Sequence, residues 1–207
     1  MKRVIFTGFF GMKSKHSHIY INMWESLGYK IDYEPYKISD VLLGGNRFDK
    51  IRNNFKPKHK HYDMMYCISG GCLHAHNLIS AKNNFTIDKI IFDSGPYLFS
   101  TKHIEHYINN TYSYKLPLSN IMDTIYDIRK VDHVQYNKEY YNTLLKKDIP
   151  KLIITSKKDK IIVRQFIESL VLNDNNIKHC EFENGKHANI YNYNKTEYID
   201  AIKNFIK

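Results

Sequence analysis

The sequence predicts an α/β fold, a doubly wound parallel sheet of about six strands with helices on both faces. The first observation behind this prediction is that apolar runs of strand length alternate with segments of helical period along the chain. The second is that several of the junctions carry glycine, which marks turns. Helical crossovers between parallel strands produce this alternation, and the predicted strand order is 2-1-3-4-5-6.

The strands are predicted, in chain order, at residues 3–7, 29–34, 63–68, 89–92, 150–156 and 178–183. Each is a short apolar run of the length that strands have in parallel sheets. The third is almost uninterrupted in its apolar character, and it leads directly into Ser69-Gly70-Gly71. The fourth is followed by Asp93-Ser94-Gly95-Pro96. We interpret that segment as a turn in which the aspartate side chain bonds its own backbone, with a role in shaping a site as the alternative.

Helices are predicted between the strands, at about residues 18–27, 71–81, 163–172 and 197–206, with a weaker one at 38–54. In the first, apolar residues lie mostly on one side and Gly28 supplies the stop. In the weaker one, Gly44-Gly45 interrupts the helical period. The last is amphipathic, which suits a helix packed on one face of the sheet.

Residues 97–148 form the longest interval without a predicted strand, and they are rich in Tyr, His and Asn. We interpret them as a helical insertion before the fifth strand, whose tyrosines either line an apolar cleft or pack the insertion itself. The chain has 207 residues, below the length at which a core divides, and only 9 glycines and 5 prolines. A single domain over residues 1–207, without a linker, is therefore predicted.

The formal net charge is +10, from 31 Lys and Arg against 21 Asp and Glu. This balance favours anionic partners such as nucleic acid or an anionic membrane surface, but no motif for either is present. The one local cluster, residues 56–61, fits a solvated loop better than a nucleic-acid patch. An A/T-rich coding genome would also enrich lysine, so the charge carries little weight alone. The oligomeric state does not follow from the sequence.

Three cysteines without a C-x-x-C pair exclude a disulfide framework. The apolar run at residues 4–10 lacks a cleavage site and is interrupted by Gly8, Gly11 and Lys13, so it does not fit a signal peptide. No apolar stretch is long enough to span a bilayer. We therefore expect an intracellular, cytoplasmic protein. The three H-x-H pairs lack further ligands at familiar spacing, so neither a metal nor a cofactor is expected.

Ser69 is the candidate nucleophile. A catalytic serine stands on a tight turn between a strand and a helix, and small residues two positions before and after it permit that turn. Here those positions hold Cys67 and Gly71, so the G-x-S-x-G pattern fails as written although the steric requirement is met. The alternative is an ordinary Ser-Gly-Gly turn after a buried strand.

Asp159 and His187 are the candidate partners of Ser69. In this kind of site the acid and then the histidine follow the nucleophile, each after a later strand. Asp159 follows the fifth predicted strand and His187 the sixth, so both fall at the carboxyl edge of the sheet together with Ser69. Taken singly, each suits an ordinary surface residue. The order and placement of all three predict a catalytic triad.

An oxyanion hole completes the predicted site. One donor is the N–H of the residue after the nucleophile, Gly70, and the second comes from the loop after the first strand. That loop is Gly8-Phe9-Phe10-Gly11, and the Phe9 or Phe10 amide is the candidate donor. The same four residues also suit a plain strand-to-helix turn.

Six motifs occur in a fixed order: Gly8-Phe9-Phe10-Gly11, Glu25-Ser26-Leu27-Gly28-Tyr29, Ile68-Ser69-Gly70-Gly71, Ile91-Phe92-Asp93-Ser94-Gly95-Pro96, Ser156-x-x-Asp159 and Gly185-x-His187. This series resembles the α/β-hydrolase family of the PaxU-type indole-diterpene biosynthesis proteins and the animal protein called transmembrane protein fifty-three. The resemblance covers nearly the whole chain. It implies Ser69 as nucleophile, Asp159 as acid and His187 as base. Phe9-Phe10 replaces the family's Trp-Trp, and Gly70 its Asn.

The predicted function is that of a serine hydrolase acting on a small-molecule ester, thioester or related acyl substrate. The alternative is a catalytically silent scaffold of the same fold that binds a partner, an anionic surface or nucleic acid through its basic charge. The two differ in their response to salt and to loss of Ser69, because binding through charge weakens steeply with salt.

Overall fold

Six parallel strands form a sheet in the order β2-β1-β3-β4-β5-β6, which confirms the predicted order. The computed structural model describes residues 1–9, 12, 14–35, 46–81, 85–96, 100–102, 105, 109, 118–128, 132–145, 148–162 and 164–207. The strands are β1 Arg3–Thr7, β2 Lys30–Glu34, β3 His61–Ile68, β4 Thr86–Asp93, β5 Lys151–Ser156 and β6 Ile177–Phe182.

Helices connect the strands. Those in the described residues are α1 Ser14–Ser26, α2 Asn46–Asn54, α3 Gly71–Ile79, α4 Leu118–Ile128, α5 His133–Tyr140, α6 Arg164–Asn173, α7 Ile190–Tyr193 and α8 Lys195–Ile206. A π-helical segment, Tyr141–Leu145, continues α5. Among the described residues, no helix is both long and apolar enough to cross a bilayer.

Apolar side chains cover both faces of the sheet. Neighbouring residues of β1 illustrate this, because they pack on opposite faces. Val4 and Phe6 pack in a core cluster that also contains Trp24 of α1. Ile5, between them in sequence, packs in a second cluster with Leu78 of α3. Successive side chains of a strand point to opposite faces, so a strand covered on both sides is apolar throughout. This explains the uninterrupted apolar runs in the sequence.

The observed elements differ from the predicted ones mainly at their amino ends. Strands β3 and β4 begin at His61 and Thr86, two and three residues earlier than predicted. Their first residues alternate between exposed and more buried positions, and this half-covered stretch lacks the apolar run on which the prediction relied. Helix α1 likewise begins at Ser14 rather than near residue 18.

The predicted helical insertion and the weak helix are described in part. Within residues 97–148, the described portion contains α4, α5 and the π-helical segment. Residues 36–45, which cover most of the amino-terminal half of the predicted helix at 38–54, lie outside the described residues. Its carboxyl-terminal part is α2.

Candidate active site

Ser69 lies in the turn between the end of β3 and the start of α3, as the sequence predicts. Its φ is +52°, in the left-handed region that non-glycine residues rarely adopt. Two backbone hydrogen bonds hold the turn: Ser69 N–H donates to the carbonyl oxygen of Asp93 at 2.9 Å, and Cys72 N–H donates to the carbonyl oxygen of Ser69 at 2.8 Å. Left-handed residues of this kind occur at functional sites that the surrounding structure constrains.

The two small residues flanking Ser69 have different reasons for being small. A Cβ added at Gly71 would lie 2.2 Å from the carbonyl oxygen of Thr7, so only glycine lets α3 approach the end of β1 this closely. The Thr7 hydroxyl also donates to the Gly71 carbonyl at 2.9 Å. Cys67 is fully buried, and burial raises the pKa of its thiol to about 12. The Cys67 thiol is therefore a packing group with no thiolate at neutral pH.

The three predicted residues meet at the carboxyl edge of the sheet. The Ser69 Oγ lies 2.6 Å from His187 Nε2. The other ring nitrogen, His187 Nδ1, lies 2.9 Å from Oδ2 and 3.1 Å from Oδ1 of Asp159. The ring is 9% exposed and the Asp159 side chain 0% exposed. These contacts place a hydroxyl, an imidazole and a carboxylate in one hydrogen-bonded line.

Asp159 is held in place by its own loop. Its N–H donates to the carbonyl oxygen of Ser156 at 3.0 Å, which closes a turn directly after β5. Its Oδ1 accepts from the backbone N–H groups of Ile161 and Ile162 at 2.9 and 3.4 Å. These backbone hydrogen bonds orient the carboxylate independently of His187. A solvated aspartate in a lysine-rich loop would lack them.

His187 lies in the loop between β6 and α7. Gly185 enters this loop at a φ of +125°, and a Cβ there would lie 2.8 Å from the Cα of Ile190. Ala188, which follows the histidine, has a φ of +54°. Its N–H donates to Ser94 Oγ at 2.9 Å, and its carbonyl oxygen accepts from the Tyr20 hydroxyl at 3.1 Å.

Asp93, the last residue of β4, and Ser94 make contacts that differ from the favoured interpretation of their segment. The Asp93 carboxylate does not bond its own backbone as expected, and that interpretation of the segment was wrong. It accepts instead from the hydroxyls of Tyr198, Ser94 and Tyr66 at 2.6, 2.9 and 3.2 Å. Burial raises the pKa of Asp93 to about 6, against the opposing effect of these hydroxyl donors. The alternative, a role in shaping a site, relied on the position of Asp93-Ser94 after the fourth predicted strand.

Of the predicted oxyanion donors, Gly70 directly follows Ser69 in the turn and Phe9 directly follows Gly8 in the loop after β1. Gly70 is the residue that precedes the first turn of α3, where N–H groups have no partner inside the helix and the helix dipole favours negative charge. Phe9 is half-buried and packs against the core beside β1. Phe10, the other candidate donor, lies outside the described residues.

A cavity of about 460 Å³ opens beside His187. Its apolar lining includes Phe9, Ile19 and Ile161, and its polar lining includes Asn189 and Asn192. The volume falls within the range of small-molecule sites, and the mixture of apolar walls with a few polar groups is typical of them. The cavity therefore adjoins the imidazole of His187.

One group of potential metal ligands occurs among the described residues. It consists of His61, Asp63 and Asp88, whose ligand atoms lie within 4.8 Å of one another. His61 Nε2 already pairs with Asp88 at 3.3 Å, and Asp63 accepts from the backbone N–H of Arg3 at 2.8 Å. The group lies at the amino ends of β3 and β4, about 20 Å along the sheet from Ser69. It has no part in the site.

Comparisons with known proteins identify the fold. No family model and no curated protein matches the chain. Solved structures do match it, among them a lipase-esterase related protein from Clostridium acetobutylicum (TM-score 0.60, 17% identity, covering 99% of this chain and 94% of that one). A Pyrococcus furiosus esterase matches with a TM-score of 0.64 and 17% identity over 99% of this chain and 81% of its own. An esterase from Exiguobacterium antarcticum matches with a TM-score of 0.61 and 12% identity over 100% and 92%.

These likenesses define the class of protein: the chain has the α/β-hydrolase fold. At 12–17% identity they establish fold and nothing narrower. The resemblance to the PaxU-type group stays a prediction, because it depends on the motifs alone.

Proposed function

We propose that this protein is a serine hydrolase that cleaves an ester, thioester or related acyl substrate. The observation that supports this most is the line from Ser69 Oγ to His187 Nε2, at 2.6 Å, and from His187 Nδ1 to Asp159 Oδ2, at 2.9 Å. A nucleophile within hydrogen-bonding reach of a base, itself oriented by a third group, is the general arrangement of nucleophilic catalysis. The cavity beside His187 gives the substrate a place to bind.

In the acylation step, Ser69 Oγ attacks the substrate carbonyl carbon while His187 Nε2 takes the hydroxyl proton. Asp159, bonded to Nδ1–H, holds the imidazole in the required tautomer and stabilises the imidazolium. The tetrahedral intermediate then collapses, the bond to the leaving group breaks, and His187 returns the proton to that group. The product of the step is an acyl ester on Ser69.

In the deacylation step, water takes the place of the leaving group. His187 removes a proton from the water as its oxygen attacks the acyl carbon, and then returns that proton to Ser69 Oγ. The acid product leaves and the site is restored. In both steps the N–H of Gly70 and an amide of the Phe9-Phe10 loop stabilise the negative oxygen of the intermediate. Loss of one such donor typically costs about 10²–10³ in kcat.

The cavity indicates what kind of substrate fits. Among the described residues, and apart from His16 and His187, the lining side chains carry no ionisable acid or base other than a tyrosine hydroxyl. Phe9, Ile19 and Ile161 provide apolar surface for a substrate chain. We therefore favour an uncharged substrate of moderate size over one that is bound through its charge.

Covalent labelling with a fluorophosphonate tests the proposal. Wild type and Ser169→Ala, which removes an exposed serine hydroxyl on α6, should label equally, and Ser69→Ala should not label. Mass spectrometry should locate the adduct on the peptide that contains Ser69. Turnover of p-nitrophenyl esters of graded chain length then measures activity and cavity size together. Equal labelling of wild type and Ser69→Ala, or no labelling of folded wild type, would favour the silent scaffold instead.

A further inference from the structure

The nucleophile turn and the base loop are attached to two adjacent residues at the end of β4. The Asp93 carbonyl oxygen accepts from Ser69 N–H at 2.9 Å. The Ser94 hydroxyl oxygen accepts from Ala188 N–H, also at 2.9 Å, directly after His187. The dipeptide Asp93-Ser94 therefore contacts both the Ser69 turn and the His187 loop. The distance between these two segments matters for proton transfer from Ser69 to His187.

The Ser94 hydroxyl is oriented by its hydrogen bond to the Asp93 carboxylate. Ser94 Oγ–H donates to Asp93 Oδ1 at 2.9 Å, so the hydroxyl hydrogen is committed and the oxygen faces Ala188 as an acceptor. Ser94 N–H also donates to the carbonyl oxygen of Ile154 in β5 at 2.9 Å. Both Asp93 and Ser94 are 0% exposed. The dipeptide is thus a fixed part of the sheet edge.

Tyr20 holds the base loop from the other side. Its hydroxyl, on α1, donates to the Ala188 carbonyl oxygen at 3.1 Å, while Ser94 accepts from the N–H of the same residue. Ala188 has a φ of +54°, a conformation that is strained for a non-glycine residue and persists where surrounding contacts impose it. These two hydrogen bonds are such contacts.

We propose that Asp93-Ser94, together with Tyr20, is the positioning element of the site: it sets the distance and angle between Ser69 and His187. This inference rests on the proposed function, because positioning matters only if His187 accepts a proton from Ser69. None of these residues is catalytic, since they act through Ala188 and through the Ser69 backbone. An error of about 1 Å in such an alignment can cost about 10² in rate.

The experiment compares variants that delete one hydroxyl. Ser94→Ala and Ser94→Gly both remove the acceptor for Ala188 N–H, but glycine adopts the φ of +52° at position 94 without strain. A loss of activity in both variants would therefore come from the missing hydroxyl and not from backbone strain. We expect kcat on a p-nitrophenyl ester to fall about 10- to 100-fold in both, with KM within about twofold of wild type. Tyr20→Phe should lower kcat less, because the Ser94 bond remains.

A second readout does not depend on turnover. The proton between His187 Nδ1 and Asp159 should give a low-field NMR resonance, to be assigned by its loss in His187→Gln. We expect this resonance to shift or broaden in Ser94→Ala and Ser94→Gly. It should be unchanged in Ser26→Ala, which deletes a hydroxyl bonded to the Met23 carbonyl oxygen near the end of α1.

The outcomes separate the two proposals. Wild-type kcat and an unmoved resonance in folded Ser94→Ala and Ser94→Gly would overturn the positioning role, even where melting temperature falls. A wild type that neither turns over esters nor labels would overturn the proposed hydrolase. In that case the resonance still decides whether Ser94 holds His187 in place.

Discussion

Tyr198 of α8 donates a hydrogen bond to Oδ2 of Asp93 at 2.6 Å, 105 residues away in the chain. The same carboxylate also accepts from Tyr66, and the two tyrosine hydroxyls lie 2.8 Å apart. All three side chains are buried. A buried carboxyl group beside the candidate site is therefore hydrogen-bonded by hydroxyl groups of the protein.

Asp93 should make the protein less stable as pH rises from about 4 to 6. Burial raises its folded-state pKa to about 6, above the ordinary aspartate value of 3.8. The folded state then binds the proton more tightly, so the stabilisation is complete below pH 3.8 and is lost as pH rises through 6. The size is on the order of 3 kcal/mol. Urea unfolding of wild type and Asp93→Asn between pH 4 and 7 measures this change in the free energy of unfolding. Asp93→Asn should lack the fall in stability that Asp93 causes.

Asp174 provides a control of opposite sign. Burial raises its pKa, but the Lys151 ammonium and the Asn176 N–H outweigh that effect and hold the pKa below its ordinary value. Its stabilisation is present at neutral pH and is lost as pH falls. Asp174→Asn should therefore remove a loss of stability that occurs as pH falls, whereas Asp93→Asn should remove one that occurs as pH rises. Identical pH profiles for wild type and Asp93→Asn would contradict the raised pKa.

Gly71→Ala should destabilise the fold and lower activity together. The added Cβ would lie 2.2 Å from the Thr7 carbonyl oxygen. This oxygen belongs to the backbone and cannot move away as the end of a flexible side chain could. Overpacking of this kind costs about 1–3 kcal/mol or more, and relief requires α3 and the Ser69 turn to shift. The matched control is Gly28→Ala, where the new Cβ has nothing within 4 Å and only the φ of +83° is unfavourable. Chemical denaturation that ranks Gly28→Ala as the more damaging change would refute the steric argument.

Asp159→Asn should lower kcat by about 10⁴ with little change in stability. The amide can still accept from Ile161 N–H, but it no longer offers a carboxylate to His187 Nδ1, so the wrong imidazole tautomer is favoured. Steady-state ester hydrolysis measures the effect. Asp200→Asn, an exposed change on α8, should keep wild-type kcat. A loss of less than about tenfold in Asp159→Asn would remove Asp159 from its proposed role.

Ile19→Phe should shift chain-length preference toward shorter acyl or alcohol groups. Ile19 lines the cavity beside His187 and is 37% exposed, so a larger ring there reduces cavity volume without entering the core. We expect KM for long-chain p-nitrophenyl esters to rise several-fold while short-chain kcat stays near wild type. Leu172→Phe, at an 83% exposed position on α6, is the control. An unchanged preference would mean that the substrate chain lies elsewhere.

The sequence predicted the strands and the edge at which they end because both follow from local patterns. Apolar runs mark strands buried on two faces, and parallel strands place Ser69, Asp159 and His187 at a common edge whatever the intervening chain does. The support beneath them was not predictable in the same way. Ser94 and Tyr20 contact Ala188 across 94 and 168 residues, and nothing local to any of the three encodes these bonds.

The placement of Tyr198 on α8 also bears on how the protein is made. During translation, all six strands leave the ribosome before α8 does, because it follows them in the chain. Without α8 docked, Asp93 would lack one of its three hydroxyl donors. The hydrogen bonds around Asp93 are therefore completed by the last helix of the chain, which supplies none of the side chains of Ser69, Asp159 and His187.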